Sequence, residues 1–304
     1  MSQTDEIEYV ASLTRPPLIP EDPPIEIAPG VHVLRDGHIP LVPNVGIVTG
    51  RDAGLVIDTG VGVRNGRRLL ARARELTDRD LTLTITHFHP EHGWGAQPFS
   101  GNARILYNRA QLDELHMKFE TFKAMFGSLG PAIAGELEGV DLVEPDDTYE
   151  GTHTIDLGGE HHVELSERAA HTRGDQVVWL PGQRVLFTGD LVENQLFPIF
   201  PDPDAHGDRW IQVLTELEQL QPDVVVPGHG DLGGVEILTA TREYLQTVRA
   251  QVTDAVAHGF ELAEAEEQLN PRIREQWADW KDPIWIDGAI ARFYEEAKLQ
   301  SVVS

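Results

Sequence analysis

Cysteine is absent from all 304 residues. That excludes disulfides, thiolate nucleophiles and thiolate zinc ligands together, and it fits a reducing compartment. Basic residues are scarce: 24 lysines and arginines face 50 aspartates and glutamates, a formal charge of −26 spread along the chain. Such a chain repels a phosphate backbone, and no basic stripe offers it a footprint, so nucleic acid is set aside as a partner. No apolar run approaches the roughly 20 residues needed to span a bilayer, which sets a membrane aside as well. The acidic start "MSQTDEIEYV" lacks the basic and apolar regions of a signal peptide. No Gly-x-Ser-x-Gly elbow is present. The expectation is a soluble cytoplasmic protein, long enough to bury a substantial core, with a homo-oligomer left open.

Along the chain, residues 1–29 read as an extended arm, since "RPPLIPEDPPIEIAP" holds six prolines. "VHVLRD" and "NVGIVTG" follow as short strands with turn signals between them. "GLVIDTG" reads as a buried strand, "VRNGRRLLARAREL" as a helix and "LTLTITHFH" as a further strand. This strand–helix–strand unit brings a histidine cluster to a C-terminal strand end, where ligands of open α/β sheets bind. From about 108 to 138 a helical insertion is expected, with Leu112, Leu115, Phe119, Phe122 and Phe126 at steps of three and four. A run of strands then ends in "RVLFTGD", and "DRWIQVLTELEQL" reads as a helix before the last buried strand, "DVVVPGHG". The main domain is placed at 30–240, with a C-terminal helical extension over 241–304 that carries Trp277, Trp280 and Trp285.

"THFHPEHGWG", residues 86–95, packs three of the 13 histidines and a glutamate into six positions. Alternate residues of a strand share a face, so His87 and His89 can converge, and Pro90 turns Glu91 and His92 back toward the same point. Imidazole and carboxylate are ligands for zinc, iron and manganese. Three fixed histidines and an acid arise by chance at roughly 1 in 100,000 positions, so accident is a poor account. Three later groups also stand at or near strand ends: His171 in "AAHTRGD", Asp190 in "VLFTGD" and His229 in "VVVPGHG".

The order of these motifs resembles the metallo-β-lactamase superfamily, in which His-x-His-x-Asp-His is followed by His, Gly-Asp and Gly-His. The likeness spans about residues 30–232, and every ligand position matches except 91, where glutamate replaces aspartate. It implies an αββα sandwich and a dinuclear centre of zinc, with iron or manganese as alternatives. One ion would be held by His87, His89 and His171, the other by Glu91, His92 and His229, with Asp190 bridging. Asp58, in "VIDTG", would support the ligands from behind. Such ions bring the pKa of water from about 15.7 to near 7 and deliver hydroxide to a carbonyl-type centre. Glu91 has an arm roughly 1.5 Å longer than aspartate; it either ligates after a backbone adjustment or serves as general base or partner behind the ligands.

The resemblance therefore implies a metallo-hydrolase of a small ester, thioester, lactone or β-lactam. An iron-dependent oxidoreductase of the same fold and a non-catalytic binding domain remain as alternatives. Trp94 reads either as core or as substrate wall, and His206, in the proline-interrupted loop after Asp190, as a substrate contact.

Overall fold

Two β-sheets packed face to face follow from strands whose alternate residues serve two different cores. The structure, a computed structural model, describes residues 13–200 and 202–303. Residues 1–12 of the N-terminal arm lie outside the described residues. The rest of the arm is extended and ends in β1 (Ile25–Ala28), an edge strand antiparallel to β2 (Val31–Leu34). Proline lacks a ladder donor, and an edge is where that loss is tolerated. Asn65 fastens the arm: its amide accepts from the Ile19 N–H at 2.9 Å and donates to the Pro17 carbonyl at 2.7 Å.

The first sheet runs β1 to β7 in chain order, with β3 (Val45–Thr49), β4 (Ala53–Ile57), β5 (Asp80–Thr84), β6 (Arg104–Asn108) and β7 (Asp147–Tyr149). Pairing is antiparallel up to β4 and parallel from β4 to β7. The parallel part needs crossovers, supplied after β4 by α1 (Gly62–Leu76). The second sheet holds β8 (Thr152–Asp156), β9 (His162–Glu167), β10 (Gln176–Leu180), β11 (Val185–Glu193) and β12 (Val224–His229). Its last pair, β11 with β12, is parallel, so both sheets present C-terminal strand ends at one edge of the sandwich.

Period-two alternation decides what each strand touches. Leu55 and Ile57 of β4 face the inter-sheet core with Val178, Leu180 and Phe187, whereas Val56 faces the outer layer with Leu69, Ala73 and Leu83. Val177 and Trp179 of β10 point the other way, into a core with Trp210, Tyr244 and Leu245. At Gly46 the sheets approach closely: an added Cβ would lie 2.6 Å from the Phe187 ring.

The insertion consists of α3 (Arg109–Ser128) and α4 (Pro131–Leu137), and Leu112, Leu115, Phe119, Phe122 and Phe126 form the buried face expected of them. Asn108 starts α3 through a capping box with Gln111. Over the second sheet lie α5 (Gly207–Glu218), α6 (Val235–Ala257), α7 (Leu262–Gln276) and α8 (Ile286–Val303). Trp277 and Trp280 pack against Tyr244, with ring centroids 5.3 and 5.4 Å away. The whole is an αββα sandwich with a helical C-terminal extension. Among the described residues no helix is long and apolar enough to cross a membrane.

Candidate metal centre

Two turns and two strands at the shared sheet edge supply the chemistry. Strand β5 ends at Thr84, earlier than its alternation suggests. His87 and His89 therefore converge through a turn rather than as alternate strand residues, and His89 leads into the one-turn helix α2 (Pro90–Gly93) bearing Glu91 and His92. His171 stands in a turn after β9, Asp190 on β11 and His229 at the end of β12.

The imidazole nitrogens face one another: His87 Nε2 lies 3.0 Å from His89 Nδ1, which lies 3.2 Å from His171 Nε2. Asp190 divides its two oxygens. Oδ2 lies 3.6 Å from His87 Nε2 and 3.9 Å from His171 Nε2. Oδ1 lies 3.2 Å from His92 Nε2 and 3.7 Å from His229 Nε2. Two donor sets result, His87–His89–His171–Asp190 and Glu91–His92–Asp190–His229, with one atom from each member within 4.8 Å of the others. The structure thus gathers all seven side chains singled out as ligands, including Glu91.

The inner faces of these rings and carboxylates suit a cation. Glu91 Oε2, His92 Nε2 and Asp190 Oδ1 are buried without a hydrogen-bond partner. Polar atoms orphaned in this way cost free energy unless something binds them. In the first set the inward nitrogens find mainly one another, a contact that lone pairs make only around a proton or an ion.

Outer contacts fix four of the five rings. His171 Nδ1 donates to the Ile199 carbonyl and His229 Nδ1 to the Val42 carbonyl, each at 3.0 Å. His92 Nδ1 lies 2.9 Å from Asp58 Oδ2, and His87 Nδ1 lies 3.1 Å from Thr86 Oγ1, which itself donates to Asp58. A nitrogen donating outward leaves its Nε2 lone pair aimed inward, the arrangement metal-binding histidines use. Asp58 accepts from the Thr86 N–H at 2.6 Å and adopts a left-handed backbone, φ 65°. It stands behind His92 and Thr86.

Burial, with neighbouring imidazolium charge, holds His87 and His89 well below the ordinary imidazole range. Burial also lowers His171, against the pull of Asp190. His92 goes the other way: burial opposes its charge, but Asp190 and Asp58 on either side raise it well above that range. Burial pushes Glu91 up to about 7, with His92 opposing and Asp190 adding.

Beside the second set opens a cleft of about 190 Å³. Glu91 and His229 form its floor, Ile39, Leu41 and Phe197 part of its walls, and Trp285 of the C-terminal extension another. Residues 193–197 and Ile199, in the segment after Asp190, line the cleft. Two residues considered for substrate contact stand elsewhere. Trp94 is core, because its indole N–H donates to the Phe88 carbonyl at 2.9 Å and its ring packs on Phe119. His206 is exposed at the start of α5, where its Nδ1 accepts from the Arg209 N–H and lies 3.3 Å from Glu296 Oε1.

Two acids at the site escaped the sequence reading. Glu193 is buried in the cleft wall, accepts from the Ile199 N–H at 2.9 Å and is pushed up by burial and Asp190. Its only sequence signal was the unbroken continuation of β11 beyond Asp190. Asp175 shapes the His171 turn by accepting from the N–H groups of Ala170, His171 and Thr172 at 3.0, 2.6 and 2.9 Å. An aspartate four residues after a ligand, following glycine, was a usable turn signal.

Comparison with known proteins agrees with this architecture. The family profile described as Metallo-beta-lactamase superfamily matches residues 38–229. A linear primary-alkylsulfatase of Pseudomonas sp. (strain ATCC 19151) is 25% identical over 242 residues, covering 67% of this chain. The chain spans only 43% of that relative's length. A metallo-beta-lactamase type 2 of Bacteroides fragilis is 27% identical over 210 residues, covering 54% of this chain and 82% of the relative. Among solved structures, a metallo-beta-lactamase family protein from Thermus thermophilus superposes with a TM-score of 0.66. It shares 17% identity over 90% of this chain and 95% of its own, a likeness of fold.

Proposed function

The chain belongs to the metallo-beta-lactamase superfamily, and from that premise we propose that it is a zinc-dependent hydrolase of a small, partly apolar ester, thioester, lactone or β-lactam. The observation that carries this reading is the divided carboxylate of Asp190 between two donor sets. His87, His89 and His171 with Asp190 Oδ2 would hold one ion, and Glu91, His92 and His229 with Asp190 Oδ1 the other. When bound, such ions supply Lewis acidity and bring the ionisation of water near neutral pH.

The chain's own groups do the rest. Asp190 fixes the spacing of the two sets and keeps negative charge between them. Glu91, the carboxylate that lines the cleft beside His229, orients the attacking water and accepts a hydrogen bond from it. Its extra methylene is absorbed by the one-turn helix after Pro90, which leaves the carboxylate within reach of His92 and His229. Phe197, Ile39 and Trp285 take the apolar part of the substrate and exclude bulk water.

Elemental analysis of protein purified without added metal is the first test, with about two zinc per chain expected. The loaded protein should then hydrolyse at least one member of a panel covering the four bond types. A zinc-loaded sample inert toward all four overturns the proposal. Iron content with oxygen consumption would move the assignment to an oxidoreductase.

A further inference from the structure

Outside the centre, the described residues hold one other group of acids close enough to grip a cation: Glu114 and Asp202, both fully buried, and Asp204. Its middle is already taken. Lys118 Nζ lies 2.8 Å from Glu114 Oε1, 2.9 and 2.7 Å from the two oxygens of Asp202, and 2.8 Å from Asp204 Oδ2. An ammonium has three donors, and here they meet three carboxylates. The same Nζ stands 4.9 Å from the centre of the Phe88 ring, between His87 and His89.

Two of the three carboxylates lead back to the metal centre. Glu114 also accepts from the Gly174 N–H at 2.7 Å and the Arg173 N–H at 3.3 Å, two positions past His171 and Thr172. Asp202 lies three residues after Ile199, whose carbonyl accepts from His171 Nδ1 and whose N–H donates to Glu193. His171 is thus held from both sides by segments that converge on one ammonium. A lone structural ion pair on α3 would not need to touch both.

We infer that Lys118 is a positioning residue of the first donor set: by clamping the His171 turn and the Ile199 segment to α3, it keeps His171 Nε2 aimed at His87 and His89. The second set has no such tie, because His229 is oriented from Val42 and His92 from Asp58. Loss of the clamp therefore affects one ion and spares the other. This inference rests on the zinc reading above.

The test uses the full chain with Lys118→Met, which keeps an unbranched stem without charge, and Lys118→Arg, which keeps the charge. Zinc alone, titrated into the metal-free protein against a chelating dye, reads the affinity of both sites. The visible spectrum of the cobalt-loaded protein reads the ligand geometry. Lys118→Met is expected to weaken one ion by on the order of ten- to hundredfold, the range for contacts behind metal ligands, and to change the cobalt bands. Lys118→Arg should recover most of that loss. If Lys118→Met does not fold, Asp202→Asn, which weakens the same clamp isosterically, carries the same expectation. Parental affinity at both sites, or equal weakening of both, overturns the clamp and leaves the hydrolase standing. A parent chain that binds no zinc overturns both.

Discussion

At the scale of single residues, two carboxylates decide how many ions the centre holds. Asp190 serves both sets, so it cannot tell them apart. Glu91 belongs to one, and its buried Oε2 has no partner. Glu91→Gln keeps the shape and removes the charge, so zinc content is expected to fall from about two per chain toward one. The same change should lower kcat/KM by at least a hundredfold, about 3 kcal/mol of transition-state stabilisation. Elemental analysis and steady-state kinetics check this, and unchanged stoichiometry would sink the role given to Glu91. Asp58→Asn probes the layer behind. Asparagine tolerates the left-handed backbone there and can still accept from the Thr86 N–H, but His92 loses its charged partner. Affinity for one ion should drop about ten- to hundredfold, read by dye competition. Position 91 was the one ligand position the sequence left open, because a methylene's reach depends on where the backbone turns. Pro90 and the helical turn after it settle that geometry only in three dimensions.

At the scale of elements, the His171 turn hangs on α3 as much as on its own strands. Asn108 caps α3 by accepting from the Gln111 N–H at 2.8 Å and donates to the Gly174 carbonyl at 2.8 Å. Asn108→Ala removes the cap and leaves a buried carbonyl without its donor, so a loss of about 2 kcal/mol is expected, measured as a lower urea midpoint. A loss below about 0.5 kcal/mol would show that solvent replaces both bonds. Periodicity announced α3, α5, α6 and nine of the twelve strands, whereas β1, β6 and β7 were not read as strands. The gathering of His87, His89, Glu91, His92, His171, Asp190 and His229 was also legible from motifs at or near expected strand ends, although Asp190 falls within β11, which runs on to Glu193. The clamp was not. Lys118 and Asp202 are 84 positions apart, and nothing local marks their pairing. The packing of Trp94 and the capping role of His206 were hidden for the same reason: both are fixed by tertiary partners.

At the scale of the whole molecule, the sandwich sets the spacing of the donor sets and the charge sets what approaches them. The two sheets meet at Gly46, and Gly46→Ala forces a methyl toward Phe187 where only 2.6 Å is available. A destabilisation of about 1–3 kcal/mol is expected from this overpacking, read from denaturant unfolding. The C-terminal extension, expected from sequence only to pack on the domain, also furnishes Lys281, Asp282 and Trp285 to the cleft. Lys281 is the only lysine or arginine among the cleft-lining residues, against Asp36, Glu193, Asp231 and Asp282. With a formal charge of −26 on the chain, even two divalent ions leave the surroundings strongly negative. An approaching anion is slowed by that field, and salt screens it over about 10 Å at 0.1 M. Two acetate esters of equal size, one neutral and one bearing a remote carboxylate, separate this effect from the chemistry. Raising salt from about 0.01 to 0.5 M, where the screening length falls from about 30 Å to a few ångströms, should raise kcat/KM severalfold for the anionic ester and leave the neutral one within about twofold. A fall in the anionic rate with salt would mean that the centre's cations, rather than the acidic shell, govern how substrate is captured.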